Sequence, residues 1–129
     1  MHDNYCRGAS LLTSATEFHN ITGNQADKGD YEQVAPSKPA CIAFMSWCSA
    51  ECRRFGPLFD DIAAEFPHAR FYRLDVEHEE SARLALEQGV TREAQLPVFK
   101  FYRNGFEITP HVEGAHVDEL RAALQRLTV

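Results

Sequence analysis

Phe44-Met45-Ser46-Trp47-Cys48-Ser49-Ala50-Glu51-Cys52-Arg53-Arg54-Phe55-Gly56-Pro57 is the stretch that decides the fold. An apolar run at residues 40–45 precedes its two cysteines and is short enough to be a buried strand. After the cysteines, Phe55, Leu58 or Phe59, Ile62 and Phe66 recur at helical spacing. The cysteine pair therefore stands where a strand hands over to the N-terminus of a helix. The first turn of a helix offers unpaired N–H groups and a partial positive charge. Both favour the thiolate, which is the reactive form of cysteine. Arg53 and Arg54 add positive charge directly after the pair. Cys48 and Cys52 are the strongest candidates for chemistry in the chain.

The totals narrow the class of protein. A chain of 129 residues, 44% hydrophobic and 25% charged, suits one globular domain with a real core. Its net charge of −6 argues against nucleic acid as a partner. No apolar run reaches the roughly 18 residues that a membrane-spanning helix needs. Residues 1–10 are polar, without the apolar centre of a signal peptide. Four cysteines are too few for a disulfide-stapled secreted fold. These features predict an intracellular, cytoplasmic protein. In that reducing setting a close cysteine pair is catalytic or metal-binding rather than structural.

Outward from the cysteine stretch, the chain reads as alternating strands and helices. Residues 1–10 form a flexible tail, and residues 11–129 a single domain. Leu11 and Leu12 suggest a short edge strand. Ser14 and Glu17 fit a capping box for a short helix that buries Phe18 and Ile21. Residues 23–39 read as an extended surface connection. A strand at 40–46 leads into the cysteine helix, which runs to Phe66 with a kink expected at Pro57. A second central strand is predicted at 69–76, with Phe71, Arg73 and Asp75 on one face and Tyr72, Leu74 and Val76 on the other. A helix at 79–88 follows, stopped by Gly89. A strand at 97–102 turns through Asn104-Gly105 into an antiparallel strand at 106–112, which Pro110 marks as an edge. An amphipathic helix at 117–127 closes the chain, with Val117, Leu120, Leu124 and Leu127 inward. The fold class is α/β: a central mixed β-sheet flanked by helices on both faces.

This order, with Trp47-Cys48 at the strand-to-helix junction, resembles thioredoxin. Gly56-Pro57 sits where thioredoxins carry a helix-kinking proline, counted from the second cysteine. Leu96-Pro97 precedes the penultimate strand, as the thioredoxin cis-proline does. Phe101-Tyr102-Arg103-Asn104-Gly105 looks like the family's strand and hairpin, and Gly114 falls where a glycine precedes the last helix. The resemblance covers nearly the whole chain. It implies a thiol–disulfide oxidoreductase acting on disulfide-containing protein substrates, with Cys48 as nucleophile and Cys52 as resolving thiol. It also implies a cis Leu96–Pro97 bond that sets the Leu96 backbone beside the substrate, and Trp47 as an aromatic wall next to Cys48. Electrons would come from an upstream thiol reductase or a small dithiol. No cofactor or metal is required, and the protein is expected to be a monomer without membrane or nucleic-acid partners.

Two departures from the family's pattern bear on mechanism. Thioredoxins place two residues between the cysteines; here there are three, Ser49, Ala50 and Glu51. On a regular helix, residues four apart hold their Cβ atoms about 5–6 Å apart, whereas a disulfide needs about 3.5–4.5 Å. Either Cys48 lies in the loop before the first turn, or the helix carries a π-type bulge. The second departure is Ile42, which stands where thioredoxins bury an Asp that accepts a proton. Arg73, at the family's buried-Lys position, is thereby expected to lack its acidic partner, and Glu51 becomes the candidate proton acceptor. Two other readings remain: a thioredoxin-fold interaction module with slow or vestigial thiols, and a Cys/His copper or zinc site of the kind that C-x-x-x-C resembles in the Sco proteins.

Overall fold

The computed structural model describes residues 10–12, 18, 38–91, 94–103 and 106–127. Strands β1 (Ser10–Leu12), β2 (Ala40–Met45), β3 (Arg70–Asp75), β4 (Val98–Arg103) and β5 (Phe106–Glu113) form one sheet in the order β1-β3-β2-β4-β5. β3 runs parallel to both β1 and β2, while β4 and β5 are antiparallel to their neighbours. Among the described residues three helices are complete, α1 (Ala50–Glu65), α2 (Glu79–Glu87) and α3 (Val117–Leu127). The expected mixed sheet with helices on both faces is what forms. The proposed capping box at Ser14 and the Asn104-Gly105 turn lie outside the described residues, as does most of the 23–39 connection.

β2 is the centre of the sheet and is buried along its whole length. Its side chains alternate between two apolar clusters. Cys41, Ala43 and Met45 face α1 and α3 together with Phe71, Phe99 and Phe101. Ile42 and Phe44 face the other way, toward Leu84, Ala85 and Phe18. The cysteine helix contributes Phe55, Phe59 and Ile62 to the first cluster, where the rings meet Phe71 and Phe99 at centroid distances of 5.3–5.8 Å. Such edge and tilted contacts add to area burial, and truncating one such ring costs about 3–5 kcal/mol. Leu58, the alternative member of that stripe, is exposed, because Phe59 takes the inward position. Leu84 is buried on α2 while Leu86 faces outward.

Both edges behave as the sequence suggests. β1 and β5 are the outer strands, with Pro110 on β5 and a register shift between Phe99 and Phe101. Phe18 packs edge-on against Tyr102 at 5.8 Å. Gly89 closes α2 with φ +86° and Gly114 precedes α3 with φ +89°, backbone that side chains rarely adopt.

Candidate redox site

β2 and β3 end level with one another, Met45 opposite Asp75, and each turns into a helix at that end of the sheet. After Met45 the chain makes a tight turn in which Ser49 N–H donates to Ser46 C=O at 3.0 Å. Ser49 then caps α1, its hydroxyl accepting from Cys52 N–H at 3.1 Å. Ser three residues before a helical N–H is the favoured N-cap spacing, and this cap decides where the helix starts. Cys48 consequently lies in the turn, outside the helix, and Cys52 is its third residue. Of the two ways to accommodate the extra residue, the chain adopts the loop.

The two thiols have different surroundings. Cys48 is exposed, whereas Cys52 is fully buried, and both are free thiols. Cys52 Sγ accepts from Ser46 N–H at 3.4 Å. Cys48 N–H donates to the Ser46 hydroxyl at 3.1 Å, and that hydroxyl donates to Glu77 Oε2 at 2.6 Å. Arg53 holds the same turn by donating from its guanidinium to the Trp47 carbonyl. Trp47 is half-buried and, with Leu11, Met45, Arg73, Leu74 and Asp75, lines a depression beside the turn. Glu51 is exposed at the second helical position, where the helix dipole favours a carboxylate. Cys41 is a core residue, and burial pushes its thiol far above the usual cysteine range. It has neither the exposure nor the thiolate character of a nucleophile.

Leu96–Pro97 is a cis peptide bond. The antiparallel register of β2 and β4 ends at Phe44 opposite Val98, so this bond stands at the sheet end where β2 passes into the cysteine turn. Pro97 C=O accepts from Gly114 N–H at 2.8 Å, which fixes the proline loop to the segment before α3.

Arg73 corrects an expectation. Ile42 does leave the β2 position without a carboxylate, but Arg73 has an acidic partner, Asp60 on α1, at 2.8 Å. Its guanidinium also donates to the Gly56 carbonyl at 3.4 Å and lies 5.9 Å from the Phe59 ring centroid. A side chain on Gly56 would stand 3.3 Å from that guanidinium, so the glycine admits the cation against the helix. The ion pair has thus moved from strand–strand to strand–helix. Ser46, Ser49, Asp60 and Glu77 are the site residues that sequence reasoning missed; only Ser49, by its N-cap spacing ahead of Cys52, carried a local signal. Among the described residues, no group of three or more His, Cys, Asp or Glu could hold a metal ion, and no helix is long and apolar enough to cross a membrane.

Comparison with known proteins identifies the family and the fold. The family model described as thioredoxin matches residues 24–126. A thioredoxin from Geodia cydonium is 35% identical over 104 residues, covering 77% of this chain and 92% of that protein. A thioredoxin from Malassezia sympodialis is 31% identical over 118 residues, covering 88% and 93%. A crystal structure of Malassezia sympodialis thioredoxin is similar with a TM-score of 0.74 at 26% identity, over 94% of this chain and 91% of that one.

Proposed function

The chain belongs to the thioredoxin family, whose chemistry is thiol–disulfide exchange, and from that premise we propose that Cys48 and Cys52 are the working pair of a protein-disulfide reductase. The Cys48 thiolate attacks one sulfur of a substrate disulfide. That S–S bond breaks, a Cys48–substrate mixed disulfide forms, and the second substrate sulfur leaves as a thiolate. Cys52 then gives up its proton and attacks Cys48 Sγ. The mixed disulfide breaks, the substrate departs with two reduced sulfurs, and a Cys48–Cys52 disulfide remains. An upstream thiol reductase or a small dithiol returns the two electrons. Trp47 and the cis Leu96–Pro97 loop border the surface on which the substrate segment lies. With Ile42 in place of a carboxylate, the proton of Cys52 passes to water or to Glu51, the exposed carboxylate between the two thiols.

The observation that carries this reading is the asymmetry of the pair: one thiol exposed in a turn, the other buried one helical turn on, with Ser46 bonded beside both. Exchange needs that division between an accessible attacker and a shielded resolver. A thioredoxin-fold interaction module with slow thiols is the second reading, favoured by the third intervening residue and by Ile42. Reduction of insulin disulfides separates them. The wild type should turn over with dithiothreitol as donor, Cys48→Ser should be inactive, and Cys52→Ser should accumulate a mixed disulfide through Cys48. Equal rates for wild type and Cys48→Ser would sink the oxidoreductase reading.

A further inference from the structure

Ser46 touches both halves of the cysteine pair. Its N–H donates to Cys52 Sγ at 3.4 Å, its hydroxyl accepts from Cys48 N–H at 3.1 Å, and its C=O accepts from Ser49 N–H at 3.0 Å. It is 3% exposed, whereas Cys48 two residues on is exposed. The remaining bond, from the Ser46 hydroxyl to Glu77 Oε2, spans 31 residues and crosses from one strand-to-helix turn to the next.

We propose that Glu77 is a positioning residue for the exchange reaction, acting through the Ser46 hydroxyl to hold Cys48 in its attacking place. The inference rests on the assignment of Cys48 as nucleophile. A serine hydroxyl has one proton and two acceptor sites, and it rotates freely when nothing fixes the proton. At 2.6 Å the bond to Glu77 has the length of a charge-assisted O–H···O⁻ contact, which is roughly twice as strong as a neutral one. Committing the proton to Glu77 leaves the lone pairs of Ser46 for Cys48 N–H and polarises the hydroxyl into a better acceptor. Cys48 lies outside α1, so no helical hydrogen bond holds its amide. The Ser46 hydroxyl is what fixes it.

Glu77 can act in this way because its own turn is anchored. Val76 N–H donates to Met45 C=O at 2.8 Å, Glu77 N–H to Asp75 Oδ1 at 2.9 Å and His78 N–H to Asp75 C=O at 3.0 Å. The Asp75 side chain organises the turn in the way Asp does where a strand ends. The carboxylate is therefore presented from a fixed base that is hydrogen-bonded to the end of β2 itself. Cys48 precedes the Ser49 cap, and its amide is held from the β3 side through the Ser46 hydroxyl.

Attack on a disulfide needs the thiolate aligned with the S–S axis, and a loosened nucleophile loses rate through the fraction of time spent misaligned. Glu77 is exposed, so replacing it should leave the protein folded. In Glu77→Ala, amide hydrogen exchange at Cys48, read by NMR, should quicken at least about five-fold, and kcat/KM for insulin should fall about ten-fold at an unchanged melting temperature. Glu77→Gln, whose amide oxygen accepts the same bond, should stay within about two-fold of wild type on both readouts. Ser46→Ala combined with Glu77→Ala should be no slower than Ser46→Ala alone, because both act on one contact. An unchanged Cys48 exchange rate in Glu77→Ala overturns the proposal, as does a faster exchange with undiminished kcat/KM, or a Gln variant as impaired as Ala. A wild type that fails to reduce insulin removes the oxidoreductase reading itself, and the Cys48 exchange rate still decides whether Glu77 holds the turn.

Discussion

Two strand-to-helix turns stand side by side at one end of the sheet, and they are finished to different standards. Both leave parallel strands that end level, and both open a helix. The turn after β2 ends in a serine cap whose hydroxyl takes Cys52 N–H. The turn after β3 ends in His78, which makes no side-chain cap bond, and leaves the helix start to the acidic residues Glu79 and Glu80. α1 is pinned to the sheet by three large apolar side chains and a buried ion pair. α2 spans 9 residues and buries only Ser81, Leu84 and Ala85. The difference follows from what each turn holds. Two thiols that must meet need a fixed backbone, and a crossover helix does not. The second turn still serves the first, since it supplies Glu77.

The firmer turn depends most on the ion pair beneath α1. The Arg73 side chain is 2% exposed and that of Asp60 14%, so Asp60→Ala takes the carboxylate away from a buried cation. Removing one partner of a buried pair costs about 3–5 kcal/mol, and the partial exposure of Asp60 sets the expectation near the lower figure. Urea unfolding should show the loss as a shifted midpoint at constant slope. Replacing both partners with leucine should recover most of it, because the buried charge is then gone as well. If the single variant loses less than about 1 kcal/mol, the ion pair does not anchor α1.

The cap is the next test. Ser49→Ala removes the acceptor of Cys52 N–H and should cost about 1 kcal/mol, while Ser49→Asp should retain the stability. Because the cap fixes where the helix begins, the alanine variant should also slow the resolving step by Cys52, read as persistence of the mixed disulfide after rapid mixing. A full loss of stability with an unchanged resolving step would mean that the cap serves the helix alone.

Much of this was legible in the sequence, and for physical reasons. The apolar run at 40–45 and the stripe Phe55, Phe59, Ile62 are periodic signals, and they located β2 and α1 directly. The cis bond at Leu96–Pro97 was legible only through the resemblance, because local sequence favours trans. What stayed hidden are contacts without period. Asp60 precedes Asp61 on a helix, and two adjacent acids read as a solvated face until β3 brings Arg73 alongside. Ser46 and Glu77 are small or exposed residues far apart in the chain, joined only because β2 and β3 are in register. The position of Cys48 outside the helix was one of two options on spacing alone, and the Ser49 cap settles it.

His78, in the plainer turn, is open to a milder change. His78 already has the extended backbone that an N-cap needs, with φ −80° and ψ 137°, yet it makes no side-chain cap bond. Serine at that position would place a hydroxyl where it can accept from a first-turn N–H of α2 without moving the chain. His78→Ser should therefore raise stability by about 0.5–1 kcal/mol, seen as a higher urea midpoint. The backbone bond from His78 N–H to Asp75 C=O does not involve the side chain, so the turn that presents Glu77 should keep its shape. The rate of insulin reduction should then be unchanged, since the substitution lies beside the clamp without entering it. If stability rises and the rate falls together, the two turns are coupled by more than the Ser46–Glu77 contact, and a loosely finished second turn is itself something the exchange reaction uses.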